Sequence, residues 1–215
     1  EPTKHPYDRV KTCVEPHQTI RPSRIEETMV ADTSPIRDYS SSAGTPFYAY
    51  ATEQMVSIVR AWAEHTWPIT LDEAFLLRDQ CGWTGAPHDG TFFTTPVSSG
   101  ETDGTIMEDT RDRSLVNSID ARLTTWVPVE LEARVSAITQ SVYTDYRNAL
   151  TTVYGPPKEG RDKFGPHSDW MLPSNASINL ASVGTFVEVT INSPTETHNA
   201  ALAAYYESKY GPDLP

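Results

Sequence analysis

The stretch PVELEARVSAITQSVYTDYRNALTTVYGPP, residues 128–157, decides how the chain is read. Leu131, Val135, Ile138, Val142, Tyr146, Ala149 or Leu150, and Val153 recur every three or four residues, which places them on one face of a 3.6-residue period. Glu132, Arg134, Gln140, Asp145 and Arg147 fall mostly elsewhere. Pro128 suits a first helical turn, where its missing N–H costs no bond. Gly155 followed by Pro156-Pro157 supplies a stop. The spacing predicts one helix over 129–154, roughly 39 Å long and able to lie across a whole sheet.

Strand patterns flank this helix. Downstream, Ser177-Ile178-Asn179-Leu180-Ala181 alternates. After a tight Ser182-Val183-Gly184 connection, Val183, Thr185, Val187, Val189 and Ile191 share one face, with Phe186, Glu188 and Thr190 on the other. The two runs predict a hairpin, and Trp170-Met171-Leu172 predicts a third strand ending at Pro173. Upstream, Leu115 to Val127 places Leu115, Ile119, Ala121, Leu123 and Val127 on one face. Ser118, Asp120, Arg122, Thr124 and Trp126 fall on the other. Thr91–Thr95 and Thr105–Met107 read as short strands within the glycine-punctuated 82–113 region.

Two helices precede these strands. Met55, Val56, Ile58, Val59, Trp62, Ala63 and Trp67 give helical spacing over 52–67, stopped by Pro68. Thr70 stands three residues before Glu73, the spacing of a capping box, and opens a helix over 70–81. Ser193-Pro194-Thr195-Glu196 opens a last helix reaching Gly211. Residues 1–46, with repeated X-Pro pairs and Ser40-Ser41-Ser42-Ala43-Gly44, read as an extended Pro/Ser-rich arm. The expected fold is therefore α+β. An antiparallel sheet of four or five strands packs against the 129–154 helix, and residues 47–215 form one domain.

The chain of 215 residues carries a formal net charge of −12 with a pI near 4.8 and a mean hydropathy of −0.46. That field repels phosphate backbones and argues against nucleic acid as a partner. No apolar run reaches the length of a membrane span, although a lipid anchor upstream of Glu1 is compatible with the sequence. The two cysteines, Cys13 and Cys81, fit one disulfide in an oxidising compartment or two independent thiols. The Cys13–Cys81 pairing is the expectation, and it implies an exported chain.

Chemistry-bearing motifs are sparse. The six histidines fall in no metal-ligand spacing, no GxSxG elbow or CxxC occurs, and Gly155-Pro156-Pro157 is no phosphate cradle. Neither a metal nor a cofactor is expected. His88-Asp89 and His167/Asp169 are the best local candidates for a loop-borne hydrolase site. Aromatic residues carry more information. Trp126 and Phe186 lie opposite the apolar faces of their strands, and Trp83 and Trp170 border the irregular loops. These four, together with the glycine-rich 82–113 loops, are the expected contact surface, the alternative being that helices cover both sheet faces and make Trp126 and Phe186 core.

The run YATEQMVSIVRAWAEHTWPITLDEAFLLRDQCGW (residues 50–83), the long helix ending in YGPP and the C-terminal hairpin, preceded by the Pro/Ser-rich tail, resemble small uncharacterised actinobacterial lipoproteins and secreted proteins over residues 47–191. The lipidated first cysteine usual in those proteins is not at position 1. The Gly-Pro turn, the Trp-containing strand and the final hairpin also resemble actinobacterial immunity-type proteins. Neither resemblance brings catalytic residues. Together with the composition they imply a non-enzymatic protein- or glycan-binding protein of the cell envelope or secreted space. An immunity-like inhibitor of a secreted toxin and the His/Asp hydrolase are the alternatives.

Overall fold

Residues 34–211 are described by the computed structural model. In chain order they form β1 (Ile36–Asp38), the short helix α1 (Ser40–Ala43), β2 (Tyr48–Tyr50), α2 (Thr52–Ala63), α3 (Leu71–Gln80), β3 (Thr84–Gly85), β4 (Phe92–Thr94), β5 (Gly104–Glu108) and β6 (Val116–Arg122). A 3-10 turn at Val129–Leu131 leads into α4 (Glu132–Tyr154). Then follow β7 (Lys158–Arg161), β8 (Pro166–Met171), β9 (Ser177–Ser182), β10 (Val187–Asn192) and α5 (Pro194–Tyr210). No helix among the described residues is long and apolar enough to cross a membrane.

The sheet is larger than the four or five strands expected. Eight antiparallel strands run in the order β3-β4-β5-β6-β10-β9-β8-β7, and β1 and β2 form a separate two-stranded ladder. The additional strands sit where hydrophobic alternation is missing. β7 is Lys-Glu-Gly-Arg, a charged edge that deters further pairing. β3 has two residues, and β8 begins at Pro166, within a segment whose polar residues read as a loop. Within the stretch expected as an extended arm, residues 36–43 hold β1 and α1, and β1 pairs with β2. The rest of the arm and Cys13 lie outside the described residues, and Cys81 is a half-buried thiol after α3.

One face of the sheet is dry. Ile106, Ile119, Ala121, Val189, Ile191, Ile178, Leu180 and Trp170 are buried there beneath α2 and α4. Both helices present their apolar stripes, Met55, Ile58, Val59 and Trp62 from α2 and Val142, Tyr146 and Leu150 from α4. Polar groups pin this layer. The Tyr143 hydroxyl meets Ser168 Oγ at 2.7 Å, Tyr146 donates to the Tyr50 carbonyl at 2.6 Å, and Trp170 Nε1 donates to the Gly155 carbonyl at 2.9 Å.

Helix ends follow their signals. At α3, Thr70 Oγ1 accepts from Glu73 N–H at 3.3 Å and Glu73 Oε2 accepts from Thr70 N–H at 2.9 Å, the reciprocal bonds of a capping box. At α5, Ser193 Oγ accepts from Glu196 N–H at 3.0 Å. α2 ends at Ala63, short of the predicted Trp67, and the chain turns before a cis Trp67-Pro68 bond. Only the first turn of α5 is buried, through Thr197 against Ser177.

Candidate functional site

Alternation gives the sheet a second face on which, among the described residues, only the first turn of α5 rests, with Thr197 against Ser177, as an antiparallel sheet allows. Strand register lines its side chains into rows. Arg122, Glu188, Ala181, His167 and Gly160 are successive cross-strand neighbours on β6, β10, β9, β8 and β7. Beside them run Thr105, Asp120, Thr190, Asn179, Asp169 and Lys158. A third row holds Met107, Ser118, Asn192, Ser177 and Met171.

Hydrogen bonds between strands organise the polar rows. Thr190 Oγ1 donates to Asp120 Oδ1 at 2.5 Å, and Asn179 Nδ2 donates to Asp169 Oδ1 at 2.6 Å. His167 Nε2 lies 3.7 Å from Asp169 Oδ2. A Cβ on Gly160 would come within 2.0 Å of that same nitrogen, so the imidazole occupies the space a side chain would need. Burial pushes the Asp120 and Glu188 carboxyls up; the Thr190 hydrogen bond opposes the rise at Asp120, and at Glu188 the Asp120 charge adds to it while Arg122 opposes it. None of the ion pairs among the described residues involves Arg122, Asp120 or Glu188.

The expected aromatic surface divides in two. Trp126 and Phe186 are half-buried on this open side. The Arg122 guanidinium lies 4.9 Å from the Phe186 ring centre and 5.9 Å from that of Trp126, in cation–π contact with both. Trp83 and Trp170 are each 3% exposed and belong to the core. Trp83 stacks on Trp62 and Phe93 with ring centres 5.9 and 4.7 Å away, and its Nε1 donates to Tyr50 Oη at 3.0 Å. Trp170 points to the dry face because β8 starts earlier than expected and sets the alternation.

Four apolar residues that the sequence reading passed over also stand in the open. Phe92, Met107, Phe164 and Met171 are 46, 48, 61 and 65% exposed. Phe92, Met107 and Met171 share the open face through their pairing with Thr105, Ser118 and Ser177. A signal existed for Met107, since alternation sets it opposite buried Ile106. Phe164 stands in the β7–β8 turn between two cavities that it helps to line. One, of about 320 Å3, includes Asp162, His167, Asp169, Asn179, Ala181 and Glu188. The other, of about 580 Å3, includes Trp126, Val129, Lys163 and Thr185.

The two His/Asp pairs do not converge. His88 lies in the β3–β4 connection and His167 on β8. β4 and β8 are five steps apart in the sheet, roughly 24 Å at 4.8 Å per step. Among the described residues, no group of three or more His, Cys, Asp or Glu could hold a metal ion.

Asp103, where β5 begins, has one carboxylate oxygen buried without a partner. Burial raises its carboxyl to about 6, and Arg122 nearby opposes the rise. Folding thus favours its protonated form. The stability held at low pH is lost as pH climbs from the unfolded value near 4 through the folded value near 6. Asp103→Asn is expected to stabilise the protein at pH 7 by about 1 kcal/mol after screening by solvent, and to be neutral near pH 3.5. Urea unfolding of both forms at the two pH values checks this.

No curated protein and no solved structure matches the chain. Residues 53–193, from α2 through the N-cap of α5, match a family of unknown function (DUF6301), and the chain belongs to that family.

Proposed function

We propose that the chain is a non-enzymatic binding protein of the cell envelope or secreted space, and that it recognises a protein partner through the uncovered face of its sheet. The supporting observation is the exposure of Phe92, Met107, Phe164 and Met171 around polar rows on a face that, among the described residues, only the first turn of α5 touches. Scattered exposed apolar residues are ordinary, but large ones gathered around one sheet face mark an interaction surface. The extracytoplasmic setting rests on the sequence resemblance and on the Pro/Ser-rich start. A protein fits better than a glycan. Arg122 already stacks on Trp126 and Phe186, and polar rows flanked by aromatics, Met and Arg match the make-up of protein interfaces.

The immunity-like version of this reading, capture of a basic toxin, is favoured by Asp120 and Glu188, which have no cationic ion-pair partner among the described residues. It predicts tight one-to-one binding that weakens as salt rises, whereas an envelope assembly role predicts a contact less sensitive to salt.

The test is partner capture by the full chain, with Trp126→Ala and Phe186→Ala as variants. Each is expected to change stability by no more than about 1 kcal/mol and to weaken the captured partner's affinity by about thirty-fold, the loss of a contact worth about 2 kcal/mol. Unchanged affinity in both variants would remove the open face from the reading.

A further inference from the structure

The smaller cavity on the open face has a composition that selects its occupant. Its floor is Ala181, a small side chain between its row neighbours Glu188 and His167. The two walls stand on β10 and β8, two strand spacings apart, roughly 10 Å between backbones. Asp169 and Asn179 close one side, and Asp162 stands at the rim.

The acceptors outnumber the donors available to them. Asp162 takes the N–H groups of Phe164 and Gly165 at 2.7 and 3.1 Å, which hold its carboxyl below the usual range and keep it charged. Asp169 has one oxygen on Asn179 and the other 3.7 Å from His167. The Glu188 carboxylate, on the opposite wall, makes no hydrogen bond or ion pair among the described residues; burial and the Asp120 charge disfavour its charged form, and its cross-strand neighbour Arg122 opposes them from outside the cavity. No Lys or Arg among the described residues lines the cavity.

The three carboxylates therefore disfavour an anion, and a bare metal ion is disfavoured by the lack of converging ligands among the described residues. What matches is an organic cation with several N–H donors, of a size that about 320 Å3 admits. We infer that this cavity receives a basic side chain, arginine or lysine, presented by the protein partner, with Glu188 and Asp169 as its two anionic walls. The inference rests on the open face being the contact surface, and it adds the chemistry of the residue that docks there. A guanidinium suits the gap best, because its planar fork can donate to carboxylates on both sides at once.

The experiment maps amide NMR shifts of the full chain on titration with three blocked amino acids: Nα-acetyl-arginine amide, Nα-acetyl-lysine amide and Nα-acetyl-citrulline amide. Citrulline keeps the shape of arginine and lacks its charge. Shifts are expected at Ala181, Gly165 and the Asn179 side chain with arginine or lysine and not with citrulline. They should weaken at least about tenfold in Glu188→Gln. Ala181→Leu, which fills the floor while leaving both carboxylates in place, should abolish them. Equal shifts with citrulline, or shifts that survive both variants, would overturn the inference.

Partner capture separates its failure from that of the broader reading. If Glu188→Gln and Ala181→Leu capture normally while Trp126→Ala does not, the cavity is not the docking point and the face remains the surface. If Trp126→Ala and Phe186→Ala capture normally while the basic probes still shift Ala181, the face fails as the contact surface although a cation site remains.

Discussion

Trp83→Ala is expected to lower the unfolding free energy by about 3–5 kcal/mol, the range for emptying a large buried aromatic site. Trp83 lies between Trp62 and Phe93, and all three rings are buried. Its indole N–H donates to Tyr50 Oη at 3.0 Å, and burial holds the Tyr50 phenol far above its ordinary range, so that group stays a neutral hydroxyl. Removing the indole leaves a cavity against two rings that cannot close it, because Trp62 is fixed on α2 and Phe93 on β4. It also removes the donor that satisfied Tyr50. The measurement is a urea unfolding curve. The midpoint should fall steeply while the slope stays near that of the parent, since the surface exposed on unfolding changes little. The same substitution at Trp126 should move the midpoint far less. A Trp83→Ala protein as stable as Trp126→Ala would mean that the stacked trio is not a unit of the core.

That contrast also marks how far the sequence could be read. Periodicity located α4, because Val135, Val142, Tyr146 and Leu150 recur at helical spacing and are all buried. Capping chemistry located the starts of α3 and α5, because Thr70 with Glu73 and Ser193 with Glu196 act over three residues of chain. Alternation from Ser118 onward correctly opposed Ile119 and Ala121 to Asp120 and Arg122, so Trp126 and Phe186 fell on the right side of the sheet. Composition could not make the same distinction for Trp83 and Trp170. Trp83 follows a helix end and precedes a two-residue strand, with no period to give its direction. Trp170 had no assigned side, because the start of β8 at Pro166 carried no apolar signal to set its alternation, and it is buried on the dry face.

The cavity was illegible for a deeper reason. Glu188, Ala181 and His167 come from three strands and become neighbours only through the β10–β9 and β9–β8 registers. A one-residue slip of β9 would send Ala181 to the dry face and erase the floor. Local patterns specify which residues alternate, whereas a site spread over several strands depends on which residues are paired.

Gly104 shows the same limit and gives the other large expected effect. In the sequence it is one of several glycines punctuating an irregular region. In the fold it pairs with both Phe93 and Ala121 at the start of β5. A Cβ built on Gly104 would lie 1.9 Å from Phe93 Cε2 and 2.3 Å from Cζ, so the Phe93 ring occupies the space over this residue. The ring has nowhere to go, since its own stack on Trp83 has centres 4.7 Å apart and Phe93 is fully buried. Gly104→Ala is therefore expected to destabilise by about 3 kcal/mol, at the upper end for an overpacked core, even though alanine normally favours a strand over glycine by a fraction of that. A double-mutant cycle identifies the cause. In a Phe93→Leu background, where the ring is replaced by a smaller and more adaptable side chain, Gly104→Ala should cost at least about 1 kcal/mol less. If the two substitutions add without coupling, the strain lies in the β5 backbone and not against the ring, and the packing of Phe93 between Trp83 and Gly104 does not hold this corner of the sheet.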